Sequence, residues 1–269
     1  MNRIIVITSG KGGVGKTTST ANIGMALAKK GRQVAVIDAD FGLRNLDLLL
    51  GLENRIVYTA LDVLSGECRL EQAMVKDKRQ PNLVLLPAAQ NRMKDAITPE
   101  QMKELVGMLE EKSYDYIIID CPAGIEQGFQ NAIAPAKEAV IVTTPEISAV
   151  RDADRVIGLL EANSIKRIRL LVNRIRPQMV QSNEMMSVQD VEEILAIPLV
   201  GVVPDDEGVI VSTNKGEPLV LSEVSTPAQL AFSNVARRLE GEKVEFLDFS
   251  APPEGFLARI RRMLSSKFL

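Results

Sequence analysis

The run Ser9-Gly10-Lys11-Gly12-Gly13-Val14-Gly15-Lys16-Thr17-Thr18 carries the densest chemical signal in the chain. Two nucleotide motifs overlap in it. Gly10, Gly12 and Gly15 satisfy G-x-G-x-x-G, the dinucleotide fingerprint, and Gly10 to Thr17 satisfy G-x-x-x-x-G-K-[ST], the phosphate loop of triphosphatases. Asp38, about 20 residues on, would suit the ribose-binding acid of a dinucleotide site. The residues after Gly15 favour the other motif. Lys16 can reach β- and γ-phosphates and Thr17 can offer a hydroxyl to Mg²⁺, and a dinucleotide site uses neither. The backbone N–H groups from Gly12 to Thr18 would cradle phosphates at the positive end of the next helix. The run Tyr116-Ile117-Ile118-Ile119-Asp120 ends on the further acid that a triphosphatase needs for Mg²⁺. Taken alone, Asp120 would read as a strand-end turn carboxylate.

Composition restricts the remaining chemistry. The chain has 269 residues, 46% of them hydrophobic and only 4% aromatic, and it contains no Trp. It must pack on aliphatic side chains, as parallel sheets buried on both faces do. There is no histidine, which removes Ser-His-Asp triads, imidazole metal sites and imidazole acid–base catalysis. Carboxylates, lysines, backbone amides, water and a metal ion are left to do the work. Cys68 and Cys121 lie far apart and fit a reducing compartment, with Cys121 a buried structural thiol after an apolar strand. A net charge of −3 gives no reason to expect nucleic acid as a partner. No signal peptide is visible, and no apolar run reaches the ~18 residues of a membrane-spanning helix.

These side chains need a scaffold that aligns strand ends. Ile4–Thr8, Val34–Asp38, Leu83–Leu86, Tyr116–Asp120, Ala139–Thr143, Ile168–Asn173 and Leu199–Val203 read as buried strands, being short, apolar and mostly β-branched. Helices are expected from the glycine loop to Lys29-Lys30-Gly31, from the cap Thr98 with Pro99, from Ser187 with Asp190 three residues on, and from Thr226-Pro227 to Gly241. The alternation predicts an α/β fold: a doubly wound, mostly parallel sheet with helices on both faces, the phosphate-loop triphosphatase arrangement. Residues 1–245 read as this domain, 246–254 as a Pro- and Gly-containing linker, and 255–269 as a separate C-terminal helix.

Lys11, placed among the loop glycines, resembles the deviant phosphate loop of the MinD/ParA ATPase family. Asp38-Ala39-Asp40-Phe41-Gly42-Leu43-Arg44-Asn45-Leu46-Asp47 is similar to the first switch of that family's MinD branch, and Asp120-Cys121-Pro122-Ala123-Gly124-Ile125-Glu126 to its second. Thr144 to Arg155 and Val203-Pro204-Asp205-Asp206 follow the same pattern, and the likeness runs from about residue 3 to the C-terminus. The resemblance implies ATP and Mg²⁺ as ligands and a homodimer formed with ATP. It implies that Lys11 reaches across the dimer to the partner's nucleotide, as an arginine finger does in trans. Asp40 would orient the attacking water, and Asp38 would act on the Mg²⁺ shell with Thr17 and Asp120. A lone carboxylate base predicts slow turnover that a partner accelerates. Asn173, Pro204 and Asp205 would surround adenine. Arg44, Asn45 and the start of the helix holding Asp152 and Asp154 would be exposed at a dimer or partner face, although by themselves these two acids read as dipole-favoured N-terminal residues. A MinC-like division inhibitor and a MinE-like activator are the implied partners, and placement of the division septum the implied role. ParA-type DNA segregation, FlhG-type flagellar positioning and a dinucleotide-dependent oxidoreductase are the alternatives.

The segment Gly255–Leu269 adds a second cue. Phe256, Leu257, Ile260, Met263, Leu264 and Phe268 fall within one arc of roughly 140° on a helix. Arg259, Arg261, Arg262 and Lys267 flank or oppose it, with no acid among these residues. Such a helix suits an anionic membrane surface, with basic stems lying at the interface. Two weak anchors held by one dimer would gain perhaps 10²–10⁴ in avidity, so ATP could move the protein between the cytoplasm and the inner face of the cell membrane.

Overall fold

The computed structural model describes residues 2–41, 43–89 and 97–247. Gly42 of the first switch and the whole amphipathic segment, Phe256, Leu257, Ile260, Met263, Leu264 and Phe268 included, lie outside the described residues. The strands are β1 (Arg3–Thr8), β2 (Val34–Asp38), β3 (Val75–Lys76), β4 (Leu83–Leu86), β5 (Tyr116–Asp120), β6 (Glu138–Thr143), β7 (Arg167–Ile175) and β8 (Leu199–Pro204). They form one sheet in the order β3-β4-β2-β5-β1-β6-β7-β8. Every neighbouring pair is parallel except β3 with β4, where β3 runs antiparallel along the edge. The seven apolar runs are thus all strands. β3 was not expected, because two residues leave no period to read.

The helices are α1 (Lys16–Lys29), α2 (Leu46–Leu49), α3 (Ala60–Leu64), α4 (Leu70–Ala73), α5 (Pro99–Glu110), α6 (Gln127–Ile133), α7 (Ile147–Ala162), α8 (Pro177–Gln181), α9 (Val188–Leu195), α10 (Glu207–Asn214) and α11 (Pro227–Leu239). Alternate strand residues divide between two cores. Ile5, Ile7, Val34, Val36 and Ile118 pack with α1 and α11, while Ile4, Val6, Ile37, Ile117 and Ile119 pack with α5, α6, α7 and α9. This division explains the continuous apolar runs, since each strand has a helix layer on both sides. Burying each such side chain contributes about 1.5–3 kcal/mol.

The expected caps are present. Thr98 Oγ1, Ser187 Oγ and Thr226 Oγ1 accept the amides of Gln101, Asp190 and Gln229 at 3.3, 3.1 and 3.2 Å. One helix differs from expectation. α7 begins at Ile147, so Asp152 and Asp154 lie beyond its first turn, where the helix dipole favours them little. Its start carries no side-chain cap to announce it. Beyond α11 the chain remains attached, and Leu247 packs against the core beneath α1 and α11.

Candidate nucleotide-binding site

Strand order brings the C-terminal ends of β1, β2, β5, β6, β7 and β8 to one edge, where ligands of open α/β sheets gather. The loop leaving β1 turns into α1 through Gly15, whose φ of 100° lies in the left-handed region. A Cβ there would also stand 2.3 Å from Asn173 Nδ2. Gly10 is excluded from carrying a side chain for another reason: its Cβ would lie 2.3 Å from the backbone carbonyl of Asp152. The loop is therefore wedged between α7 and the end of β7. Asn173 Nδ2 donates to the Val14 carbonyl at 2.8 Å, fixing the loop from below. It can do so because the β7–β8 register slips between Asn173 and Ile175, with Arg174 at φ 59°. Lys16 is buried, and its ammonium donates to Ser9 Oγ at 3.0 Å. An ammonium has three protons, so donors remain for phosphate oxygens.

Asp38 and Asp120 face each other in register across β2 and β5, and both are almost fully buried. Asp38 Oδ1 accepts the Asp40 amide at 2.9 Å, and its Oδ2 accepts the Asn45 and Leu46 amides at 3.2 Å each. The first switch is thus hung on this carboxylate. Asp120 Oδ1 accepts the Thr20 hydroxyl at 2.9 Å, and Thr17 bonds the same side chain. Burial, reinforced by the Asp120 charge, pushes Asp38 up to about 7. Burial likewise pushes Asp120 up to about 6, against the hydroxyls of Thr17 and Thr20 and the charge of Lys16. Two dry carboxylates side by side, with the Thr17 hydroxyl, make an all-oxygen donor set that a hard divalent cation satisfies. The residues expected to hold Mg²⁺ are therefore together and fit it. Asp40 lies one step outward, lining a small cleft with Phe41, Pro122, Ala123 and Glu126, so both switches meet there.

Lys11 points to its own subunit here. Its Nζ donates to Ser148 Oγ at 3.0 Å and to Glu146 at 3.4 Å, at the start of α7. Asn45 and Asp154 are exposed, and Asp152 is half-buried with Arg155 at 3.9 Å. Arg44 corrects the expectation of an exposed residue. Its side chain is only 13% exposed and turns inward onto buried Asp47 at 2.8 Å, from a backbone φ of 41°.

Beside the loop opens a cavity of about 290 Å³ walled by Gly15, Thr18, Asn173, Pro204, Asp205 and Ile210. It contains the residues expected around adenine. Arg176 holds Asp205 there at 2.7 Å, and α10 supplies an apolar wall. Ser9, Thr20, Arg176 and α10 were not anticipated. Nor was Arg79, which donates to the carbonyls of Leu50 at 2.6 Å and Gly216 at 3.0 Å while paired with buried Asp77. It ties the end of α2 to the turn after α10. Its only signal in sequence is Asp77 two residues before it.

Comparison with known proteins agrees with this geometry. The ParA family model, described as the NUBPL iron-transfer P-loop NTPase, matches residues 1–240. A putative septum site-determining protein MinD from Guillardia theta is 71% identical over 262 residues, covering 97% of each chain. The septum site-determining protein MinD of Synechocystis sp. is 69% identical over 264 residues, 98% of this chain and 99% of that one. Among solved structures, the MinC:MinD cell division complex of Aquifex aeolicus superposes with a TM-score of 0.85 at 51% identity, over 91% of this chain and 99% of that one. MinD of Pyrococcus horikoshii, complexed with Mg-ADP, gives a TM-score of 0.80 at 33% identity, over 89% and 96% of the two chains.

Proposed function

Because this chain belongs to the MinD/ParA family of P-loop ATPases, we propose that it positions the division septum as an ATP-switched membrane protein. The observation that carries this reading is the phosphate loop of Gly10–Thr18 set over the buried Asp38–Asp120 pair. Lys16 brings a fixed positive charge to the β- and γ-phosphates. The loop amides cradle the phosphates, and Thr17, Asp38 and Asp120 hold the cation. Mg²⁺, when bound, neutralises charge on the transferring phosphoryl group. Asp40, at the meeting of both switches, orients the attacking water. Asn173, Pro204 and Asp205 seat adenine.

Lys11 acts in trans. Its contacts to Glu146 and Ser148 lie half exposed, worth about 0–1 kcal/mol, so they yield readily to a partner's phosphates. ATP then joins two subunits, and dimerisation completes each site. The dimer presents two copies of residues 255–269 to the anionic inner surface of the cell membrane. No helix among the described residues is long and apolar enough to cross a membrane. The start of α7, which carries Ser148, Asp152 and Asp154 after Glu146, is where a MinC-like inhibitor and a MinE-like activator meet the dimer contact. Hydrolysis stimulated there ends the membrane-bound state. Cys121 is fully buried, with burial pushing its thiol up to about 12, which disfavours the iron-carrying role found elsewhere in the family.

Co-sedimentation with anionic vesicles tests the whole reading. ATP should bring the protein down with lipid, ADP should not, and Lys11→Ala should abolish both ATP-dependent dimerisation and sedimentation. Equal sedimentation of a strictly monomeric form with ATP and ADP would overturn it. Pelleting with DNA in place of vesicles would favour the ParA-type role.

A further inference from the structure

Arg238 of α11 holds the chain that follows its own helix. It donates to the carbonyls of Val244 at 3.0 Å, Glu245 at 2.7 Å and Val200 at 3.1 Å, and its guanidinium lies 3.9 Å from the centre of the Phe246 ring. These contacts lay residues 244–246 against β8 and bring Phe246 and Leu247 to the rim of a cavity of about 250 Å³. Ile175, Val180, Val188, Leu199 and Val202 line it, with Glu192 at the edge. Glu192 is the charged residue in its wall. Between Gln181 and Val200 the chain carries Glu184, Asp190, Glu192 and Glu193 and neither Lys nor Arg.

We propose that residues 255–269 seat part of their apolar arc in this groove of their own subunit, hiding it from lipid. Three observations choose this occupant. The chain enters the groove at Leu247, so the next residues leave from its rim. Residues 248–254, the part of the linker beyond Leu247, span at most roughly 25 Å, which allows the segment to fold back and keeps its effective concentration near the groove in the millimolar range. An apolar stripe flanked by cations also matches an apolar floor whose wall carries the carboxylate of Glu192. The lipid consequence rests on the membrane-binding reading given above, whereas the docking itself does not. A segment docked nine-tenths of the time has its apparent lipid affinity reduced roughly tenfold. A single subunit is then kept off the membrane more firmly than a weak anchor alone would ensure.

Hydrogen exchange read by mass spectrometry on the full chain, without lipid or nucleotide, tests the docking. Ile260→Glu leaves the groove intact and should speed exchange across residues 177–202 several-fold, to the same extent at every protein concentration. Unchanged exchange would overturn the proposal. So would protection that grows with protein concentration, because a second copy would then fill the groove. Val180→Lys tests the consequence with phosphatidylglycerol-containing vesicles. In ADP it should sediment several-fold more than the parent protein, with the ATP level unchanged. Equal sedimentation of the two in ADP, where both bind in ATP, would overturn the hiding of the segment. If exchange responds to Ile260→Glu but neither protein binds vesicles in any nucleotide state, docking stands and the membrane reading falls.

Discussion

The carboxyls of Asp38 and Asp120, raised to about 7 and about 6, keep protons that the unfolded chain gives up near pH ~4. The folded state therefore binds more protons over the intervening range, and stability from these groups falls as pH rises from ~4 to ~7. Without metal, the protein should melt lower at about pH 8 than at about pH 5.5 on their account. Asp120→Asn keeps the shape and lets the hydroxyls of Thr17 and Thr20 reorient. It should raise the melting point at the higher pH by about 2–4 °C for each kcal/mol gained, and it should abolish Mg²⁺-dependent ATP turnover. Thermal melts in EDTA at the two pH values decide this, and a variant no more stable than the parent at pH 8 contradicts it. Mg²⁺ favours the ionised pair, so its affinity should rise over the same pH interval. Gly15→Ala is the companion test on the loop. The left-handed φ and the clash with Asn173 together cost of order 1–3 kcal/mol or more. Titration with a fluorescent ATP analogue should show binding weakened at least about tenfold.

The long elements were legible and the short ones were not. Strands buried on both faces leave continuous apolar runs, and Thr98, Ser187 and Thr226 announce their helices with caps. β3, α2, α3, α4 and α8 run for two to five residues, too few for any period to emerge. α7 starts at Ile147 on an uncapped apolar turn, which shifted the expected position of Asp152 and Asp154. The site divides similarly. Gly10–Thr18 were readable from their fixed spacing and Asp120 from its place at the end of an apolar strand, whereas the role of Asp38 came only from the family resemblance. Ser9, Thr20 and Arg79 act only through cross-strand register and loop packing, which spacing does not record. Arg44 was misjudged because its partner, Asp47, is buried by tertiary contacts around α2. The loop–helix contact yields its own prediction. Gly10→Ala would drive a methyl into the Asp152 carbonyl and push α7 outward. It should destabilise by about 1–3 kcal/mol, measured as a lower urea midpoint, and an unchanged midpoint would show that the wedge is slack.

Across the whole molecule, charge is unevenly distributed: four cations and no acid in the last fifteen residues, joined to a body more acidic than the overall −3 suggests. Lipid binding should therefore fall steeply with salt, since each cation near an anionic surface is worth about 1 kcal/mol at most and is screened within ~10 Å at 0.1 M. The proposed ATP-driven pairing, which would rest on buried phosphate contacts, should change little over the same range. Vesicle sedimentation and light scattering across a salt series separate the two, and parallel losses would refute the distinction. Arg79 links regions on a similar scale, since it rivets the turn after α10 to the helix suspended from Asp38. On the reading proposed above, a triphosphate carrying an ill-fitting base would thus disturb the neighbourhood of Asp38 without touching it. Fidelity toward the nucleobase becomes a matter of timing as well as of grip.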